Sequence, residues 1–172
     1  MQTLSLIIGL TAVAFYFLGY PQKKRENIIA LNVTSRLLYI LQYILLGAFE
    51  GAALDIAGAI SSVLAGKKNS GFVKKHTKLI FSAINIIIIA VGLCLYKNVF
   101  SLLPIAGVLL HTVAFWIDDE KIIRIVSMAG SPFWLVYNFV SRAYGSCVGD
   151  LLSMVSIGIS MYRYDIRKAK DE

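Results

Sequence analysis

The 172-residue chain is too apolar for an ordinary soluble domain, with 58% hydrophobic and only 16% charged residues. Soluble domains average about 45–50% apolar and about 25% charged residues, so this composition indicates a membrane protein. The formal net charge is +7, but the basic residues lie in short clusters between apolar runs, which argues against nucleic-acid binding.

Seven apolar segments follow one another along the chain, and each is predicted to be a transmembrane helix. A span needs about 17–25 mostly apolar residues. The first segment has neither the basic region nor the small-residue cleavage site of a signal peptide, so we expect it to be a span. The only long connection is "KKNSGFVKKHTK" at 67–78. The predicted spans are 3–20, 28–46, 51–66, 79–96, 99–116, 121–140 and 147–164.

The basic residues predict how the chain crosses the membrane. Fourteen of the 17 Lys and Arg residues lie on the side that the chain reaches after its first span. Lys97 and Arg142 lie on the other side, and Arg36 lies within a span. Because Lys and Arg concentrate in cytoplasmic loops, we predict that the N-terminus is outside and the C-terminus is cytoplasmic.

An internal repeat appears when the sequence is shifted by 95 residues. Spans one, two and three then fall on spans five, six and seven, and Asp55 falls on Asp150. With three helices in each half and one linking helix, the two halves have the same orientation in the membrane. Transporters with this arrangement have their solute site at the interface between the repeats. We therefore predict an all-α membrane protein with two parallel three-helix repeats joined by an inverter helix (3+1+3).

The predicted organisation has three parts. They are a first three-helix repeat at 1–66, a basic loop with the linker helix at 67–98, and a second three-helix repeat with a cytoplasmic tail at 99–172.

Polar and aromatic side chains form a stripe along one face of span two and along the equivalent face of span six. Their spacing of i, i+3, i+4, i+7, i+10 and i+11 places them on one side of a helix. Two interpretations remain open, because such a stripe serves either helix–helix packing or a solute pathway. The members are Asn32, Ser35, Arg36, Tyr39, Gln42 and Tyr43 in span two, and Ser127, Gly130, Ser131, Trp134, Tyr137 and Asn138 in span six.

Four ionisable residues within the spans are candidates for a polar pathway. An ionised side chain at the membrane centre costs at least ~2.5 kcal/mol. Asp55 and Asp150 lie near the outer ends of their spans, where we expect external water to reach them. They are either structural carboxylates near positive helix ends or sites for a solute or a proton. Arg36 either reaches towards the cytoplasm or pairs with an aspartate, and His111 is either packed or a proton relay.

The sequence gives little support for a metal site or an enzyme. His76 and His111 lie far apart, and no Cys/His group has the spacing of metal ligands. Cys94 and Cys147 are expected to be packing residues. No phosphate loop, zinc-protease signature or nucleophile elbow is present. We therefore expect no cofactor, no metal and no enzymatic activity.

Two resemblances add to this interpretation. The 3+1+3 plan and the Pro-Gln after the first span, in "GYPQKKREN", resemble the SWEET and PQ-loop transporters, although Trp116-Ile117 replaces Pro-Gln in the second half. This resemblance implies a pathway between the two helix bundles, with Asn138 and Trp134 beside the solute.

The second resemblance covers nearly the whole chain. The segments "LQYILLGAFEGAALDIAGAI", "LLPIAGVLLHTVAFW" and "FWLVYNFVSRAYGSCVGDLLSM" resemble the YgjV-type bacterial inner-membrane proteins. This resemblance implies a multi-pass protein of the bacterial inner membrane.

The sequence thus predicts a carrier that moves a small polar solute across the bilayer by alternating access, and it leaves proton coupling and a homo-oligomer as open alternatives. The alternative is a non-transporting scaffold or accessory subunit, whose 67–78 loop binds a partner or anionic lipid. The predicted solute contacts are Asn32, Tyr39, Gln42, Tyr43, Trp134, Tyr137 and Asn138, and the predicted coupling or polar-pathway residues are Asp55, Asp150, Arg36 and His111.

Overall fold

A computed structural model describes residues 2–166, which are helical apart from turns and short connections. The predicted cytoplasmic tail, from residue 167 onward, lies outside the described residues. A 3-10 turn, Val99–Ser101, precedes α6, and a π-helical turn, Met161–Ile166, follows α8. The eight α-helices are α1 (Gln2–Gly19), α2 (Arg25–Leu46), α3 (Phe49–Gly66), α4 (Gly71–Lys75), α5 (Thr77–Cys94), α6 (Leu102–Trp116), α7 (Glu120–Val140) and α8 (Tyr144–Ser160).

The seven long helices coincide with the seven predicted apolar segments. Within residues 2–166, five helical stretches are long and apolar enough to cross a membrane: α2, α3, α5, α6 with its 3-10 turn, and α8 with its π-helical turn. The apolar part of α1, Thr3–Gly19, is shorter. Helix α7 is not among the five, and its first turns contain Glu120, Lys121 and Arg124. The predicted all-α membrane class is confirmed, and α4 is a short helix that the sequence did not predict.

The turns between α2 and α3 and between α7 and α8 have the same backbone geometry. Gly47 and Arg142 occupy equivalent positions in the 95-residue shift, and both are left-handed, with φ of 70° and 59°. In each turn, this residue donates to the carbonyl three residues back, and the next residue donates to the carbonyl five residues back. The left-handed conformation costs a residue with a Cβ about 1–2 kcal/mol. Arg142 adopts it because the turn requires it.

Six of the helices pack in a closed ring. The order of neighbours is α1, α2, α3, α6, α7, α8 and back to α1. This order is unchanged when each helix is exchanged for its equivalent in the 95-residue shift. Helix α5 packs against α3 and α6 and buries only Ile84, Ile88 and Gly92. Large apolar side chains cover its exposed face, as expected for contact with acyl chains.

The two ends of the bundle differ in charge. We call the end with connections 20–24, 67–76 and 117–119 the basic end, and the other end, with connections 47–48, 95–101 and 141–143, the opposite end. At the basic end, Arg25 Nε donates to Ile117 O at 2.9 Å, and its Nη2 donates to Phe115 O and Ala65 O. Lys68 Nζ donates to Trp116 O at 2.8 Å. These cations satisfy carbonyls at the C-terminal ends of α3 and α6, which lack donors within their own helices.

Candidate functional site

Both polar stripes lie inside the helix ring. Every member of the stripe on α2 is buried, and so is every member of the stripe on α7. Between the stripe positions, apolar residues such as Leu37 and Val136 are exposed on the outer surface. The stripes therefore face the bundle interior, because a helix of 3.6 residues per turn separates its polar face from its lipid-compatible face.

A small cavity lies between the two stripes. It offers about 30 Å³ to the centres of water molecules. One water molecule needs about 10–15 Å³ on this measure, so the cavity has room for about two. Its walls come from α1, α2, α3, α6, α7 and α8, so both halves of the sequence contribute. The lining residues are Tyr16, Ser35, Arg36, Tyr39, Tyr43, Asp55, His111, Trp134, Asn138 and Asp150.

A buried ion pair forms one wall of this cavity. Arg36 Nη1 lies 2.5 Å from Asp55 Oδ1, and each side chain is only 6% exposed. Arg36 Nε also donates to Asn32 Oδ1 at 2.9 Å. Gly58 makes room for this guanidinium, because a Cβ at position 58 would overlap Arg36 Nη1. Of the two alternatives for Arg36, the structure thus shows pairing with an aspartate.

The second aspartate has a different environment. Asn138 Nδ2 donates to Asp150 Oδ2 at 2.8 Å, and Tyr43 Oη donates to Asn138 Oδ1 at 2.8 Å. Among the described residues, no Lys, Arg or His forms an ion pair with Asp150. The difference follows from the sequence, because the position equivalent to Arg36 in the second half is Ser131. Asp55 is neutralised by a cation, whereas the hydrogen-bond partner of Asp150, Asn138, is neutral.

His111 is held at both ring nitrogens. Nδ1 lies 2.9 Å from Gly107 O, and Nε2 lies 2.8 Å from Tyr16 Oη. A carbonyl only accepts, so Nδ1 carries the proton, and the Tyr16 hydroxyl is then able to donate to Nε2. Tyr20 Oη lies 3.0 Å from Tyr16 Oη. These contacts satisfy a neutral imidazole and place it as a fixed, hydrogen-bonded group.

Aromatic rings form another wall. Tyr43 and Trp134 stack with ring centroids 6.3 Å apart, and Trp134 and Tyr137 meet edge to face at 6.0 Å. Gly107 leaves space for the indole, since a Cβ there would lie 2.6 Å from Trp134 Cδ1. The ring faces supply apolar and π surface to the cavity.

Eight predicted site residues come together around the cavity, and three do not line it. Asn32 lies behind Arg36. Gln42 accepts from Ser146 Oγ at 2.9 Å and lines a separate open depression of about 380 Å³ at the opposite end. Tyr137 packs against Trp134 and Gly51. The eight that line the cavity are Arg36, Tyr39, Tyr43, Asp55, His111, Trp134, Asn138 and Asp150.

Two lining residues were not predicted as site residues. Ser35 belongs to the α2 stripe, but it was not chosen as a solute contact. Tyr16 lies in the first apolar span, where it and Tyr20 are two tyrosines among mostly apolar residues and form no distinctive pattern. The signal that points to Tyr16 is its position 95 residues before His111, the residue that it contacts.

Several buried polar atoms near the cavity have no hydrogen-bond partner among the described residues. They include Tyr39 Oη, Asn32 Nδ2 and Ser127 Oγ. Asn32 and Ser127 occupy equivalent positions in the repeat. Helices α2 and α7 start at the basic end, so both residues lie between that end and the cavity residues of their helix. Buried polar groups are nearly always hydrogen-bonded to protein or to ordered water, so these atoms have unused hydrogen-bonding capacity.

The expected access of external water to the aspartates needs correction. Asp55 is 4% exposed and Asp150 is 9% exposed. The hydrogen bond from Ser146 to Gln42 joins α8 to α2, and Gln42 lines the open depression at the opposite end. The aspartates are therefore enclosed in this conformation.

Comparison with protein families gives one clear match. The Imp-YgjV family, described as bacterial inner membrane protein, matches residues 3–168. Comparisons with curated proteins and with solved structures found no match. Because the family match extends over nearly the whole chain, the protein belongs to the Imp-YgjV family of bacterial inner membrane proteins.

Proposed function

We propose that this protein is a carrier for a small polar solute and not an enzyme. In this proposal, seven helices span the membrane as two parallel three-helix units, α1–α3 and α6–α8, joined by α5 as in SWEET-like transporters. The enclosed cavity is the solute site, and the two units rock about it to give alternating access. The N-terminus is outside, and the basic end is cytoplasmic. Asp55 and Asp150 are the candidates for proton coupling.

The main support is that equivalent residues of the two halves contact each other. Tyr43 donates to Asn138, and Tyr16 contacts His111, with 95 residues between the members of each pair. Two residues related by a two-fold rotation touch only beside the rotation axis. Both contacts line the cavity, so an approximate two-fold axis through the cavity explains them together. The solute sites of repeat-built transporters lie at such an interface.

Each end of the bundle is closed by contacts that join the two halves. At the basic end, Arg25 and Lys68 bind carbonyls of α6 and of the chain directly after it. At the opposite end, α8 donates to α2 through Ser146 and Gln42. At the basic end, a buried apolar cluster that includes Ile28, Phe115 and Ile123 also joins the halves. In this proposal, the polar bonds at one end break while those at the other end stay intact, as alternating access requires.

The distribution of charge supports the proposed orientation. The described basic residues concentrate at the basic end, which fits the excess of Lys and Arg in cytoplasmic loops. The charges that α7 contains, Glu120, Lys121 and Arg124, fall in its first turns at this end. A span that starts at the membrane surface tolerates such charges, because long side chains reach the interface.

A non-transporting scaffold or accessory subunit is the second candidate. The small size of the cavity favours it, because about 30 Å³ is less than most solutes need. In this case, the basic 67–78 connection provides the interaction surface. Its short helix α4 exposes Phe72 beside Lys74 and Lys75, and each basic residue near an anionic surface contributes about 1 kcal/mol.

The cavity offers little for covalent catalysis. Ser35 is the only serine, threonine or cysteine among its lining residues. The Ser35 hydroxyl donates to Asn32 O at 2.9 Å, so it is engaged with the backbone and not with a base. A nucleophile needs an adjacent base within hydrogen-bond reach, and this supports a binding role for the cavity.

Spin-label distances across the two ends test the rocking motion. One label pair is placed at Phe49 and Tyr144, which are exposed and equivalent at the opposite end. The other pair is placed at Glu26 and Lys121, exposed and equivalent at the basic end. Distances are measured by pulsed electron paramagnetic resonance in nanodiscs, after Cys94 and Cys147 are replaced by serine.

We expect the double substitution Arg25→Ala/Lys68→Ala to lengthen the basic-end distance and to shorten or maintain the opposite-end distance. The reason is that it removes the bonds that close one end only. The matched control is Lys74→Ala/Lys75→Ala, which removes two exposed cations of α4 and should leave both distances unchanged. Unchanged distances in the Arg25/Lys68 variant, or equal lengthening at both ends, would favour the scaffold.

A further inference from the structure

The charges around the cavity do not balance. Arg36 and Asp55 neutralise each other as an ion pair. His111 has partners that satisfy a neutral imidazole, and the other titratable groups in the lining, apart from Asp150, are tyrosines. Asp150 is left as a carboxylate without a cationic partner among the described residues. A buried carboxylate in a membrane protein usually pairs with a positive group or lies on the pathway of a transported cation.

Acceptor atoms in the cavity are also left unused. Only Oδ2 of Asp150 receives a hydrogen bond, from Asn138, and Oδ1 receives none from the described residues. The hydroxyl of Tyr39 is buried without a partner in the described part of the chain. It lies against Gly149, 2.7 Å from where a Cβ on that glycine would be. A carboxylate oxygen and a phenolic oxygen both accept hydrogen bonds. A ligand with N–H donors would satisfy both.

The aromatic wall favours the same kind of ligand. The ring faces of Tyr43 and Trp134 lie at the cavity, and a cation over an aromatic face is attracted by the ring quadrupole. The size of the cavity sets a limit. Room for about two water molecules suits a ligand of two or three non-hydrogen atoms in the enclosed conformation.

We infer that Asp150, Tyr39 and Trp134 form a binding site for a small organic cation with N–H donors, of the size of methylammonium. The cation binds at Asp150 Oδ1. It supplies for Asp150 the positive charge that Arg36 supplies for Asp55 in the first half. This inference rests on the proposed carrier function and narrows its solute to a class.

Thermal unfolding of the purified full chain tests the site with methylammonium chloride as the probe. We expect methylammonium at about 100 mM to raise Tm by roughly 3 °C or more. Equimolar sodium chloride lacks N–H donors, and equimolar methanol lacks the charge, so neither should give this rise.

Variants identify the site. Asp150→Asn keeps the shape of the side chain and should abolish the methylammonium shift. Tyr39→Phe keeps the ring and should reduce it. Glu26→Gln, an exposed carboxylate at the basic end, is the matched control and should retain the full shift.

A methylammonium shift that sodium chloride equals, or one that persists in Asp150→Asn, would overturn the assigned site. An absence of any shift would also overturn it, and would favour a proton as the group that neutralises Asp150. The spin-label distances separate this failure from that of the carrier. Rocking without a methylammonium shift means a carrier with another solute, whereas fixed distances at both ends reject the carrier itself.

Discussion

Replacing Arg36 by methionine is expected to lower the free energy of unfolding by about 3–5 kcal/mol. The substitution removes the cation that lies 2.5 Å from Asp55 and leaves a buried carboxylate without a partner. Methionine is shorter than arginine but fills a similar volume, so the main changes are the loss of the charge and of the hydrogen bond to Asn32. The measurement is equilibrium unfolding in mixed micelles, with helix content as the signal.

A double-mutant cycle shows whether the loss comes from the ion pair. Arg36→Met/Asp55→Asn removes both charges and should recover most of the stability, because replacing a buried pair by neutral groups is often nearly neutral. The matched control is Lys97→Met. Lys97 is 66% exposed and lies 4.0 Å from Glu50, so we expect an effect within about 1 kcal/mol. Additive losses in the double variant would contradict the pairing.

The same substitution at the two equivalent aspartates is expected to have opposite effects. Asp55→Asn should lower stability, because it leaves Arg36 buried without its counter-ion. Asp150→Asn should raise the free energy of unfolding by up to about 2.5 kcal/mol at alkaline pH, because it removes a charge that has no cationic partner. The hydrogen bond from Asn138 can be kept, since the new side chain still offers an amide oxygen.

Unfolding measured in parallel for both variants near pH 9 decides this point. The opposite signs would show that Asp150 is maintained at a cost to stability, which is typical of functional sites. Equal destabilisation by both substitutions would mean that Asp150 is a structural carboxylate held by Asn138. The structural interpretation of the second aspartate would then be preferred.

The helices could be predicted from the sequence because each long apolar run must satisfy its backbone internally. The 95-residue shift was visible because Asp55 and Asp150 keep their place in it. The buried faces of α2 and α7 followed from helical periodicity alone. The five-residue helix α4 was missed because a single turn produces no periodic pattern, and its residues form a polar connection.

The asymmetry of the site could not be predicted. Arg36 was recognised as a candidate partner for an aspartate, but the choice of Asp55 depends on the packing of α2 against α3. Tyr16 was missed because its helix carries no polar stripe. Gln42 fits the stripe by spacing but points towards α8, where Ser146 binds it. The spacing of polar residues predicts which face of a helix is buried. The packing of the neighbouring helices then determines which residues of that face line the cavity.

Accessibility of single cysteines in the membrane tests the central claim, that two three-helix units meet around a polar seam that water enters. Ser35→Cys and Ser131→Cys place small thiols on the two buried stripes, and Leu37→Cys and Val136→Cys place thiols on the outer faces of the same helices. The native cysteines are first replaced by serine. We expect a charged, membrane-impermeant thiol reagent to modify the two stripe cysteines and to leave the two outer cysteines unmodified. Stripe cysteines that stay unmodified from both sides of the membrane, under conditions that label an exposed thiol at Phe49, would contradict the account.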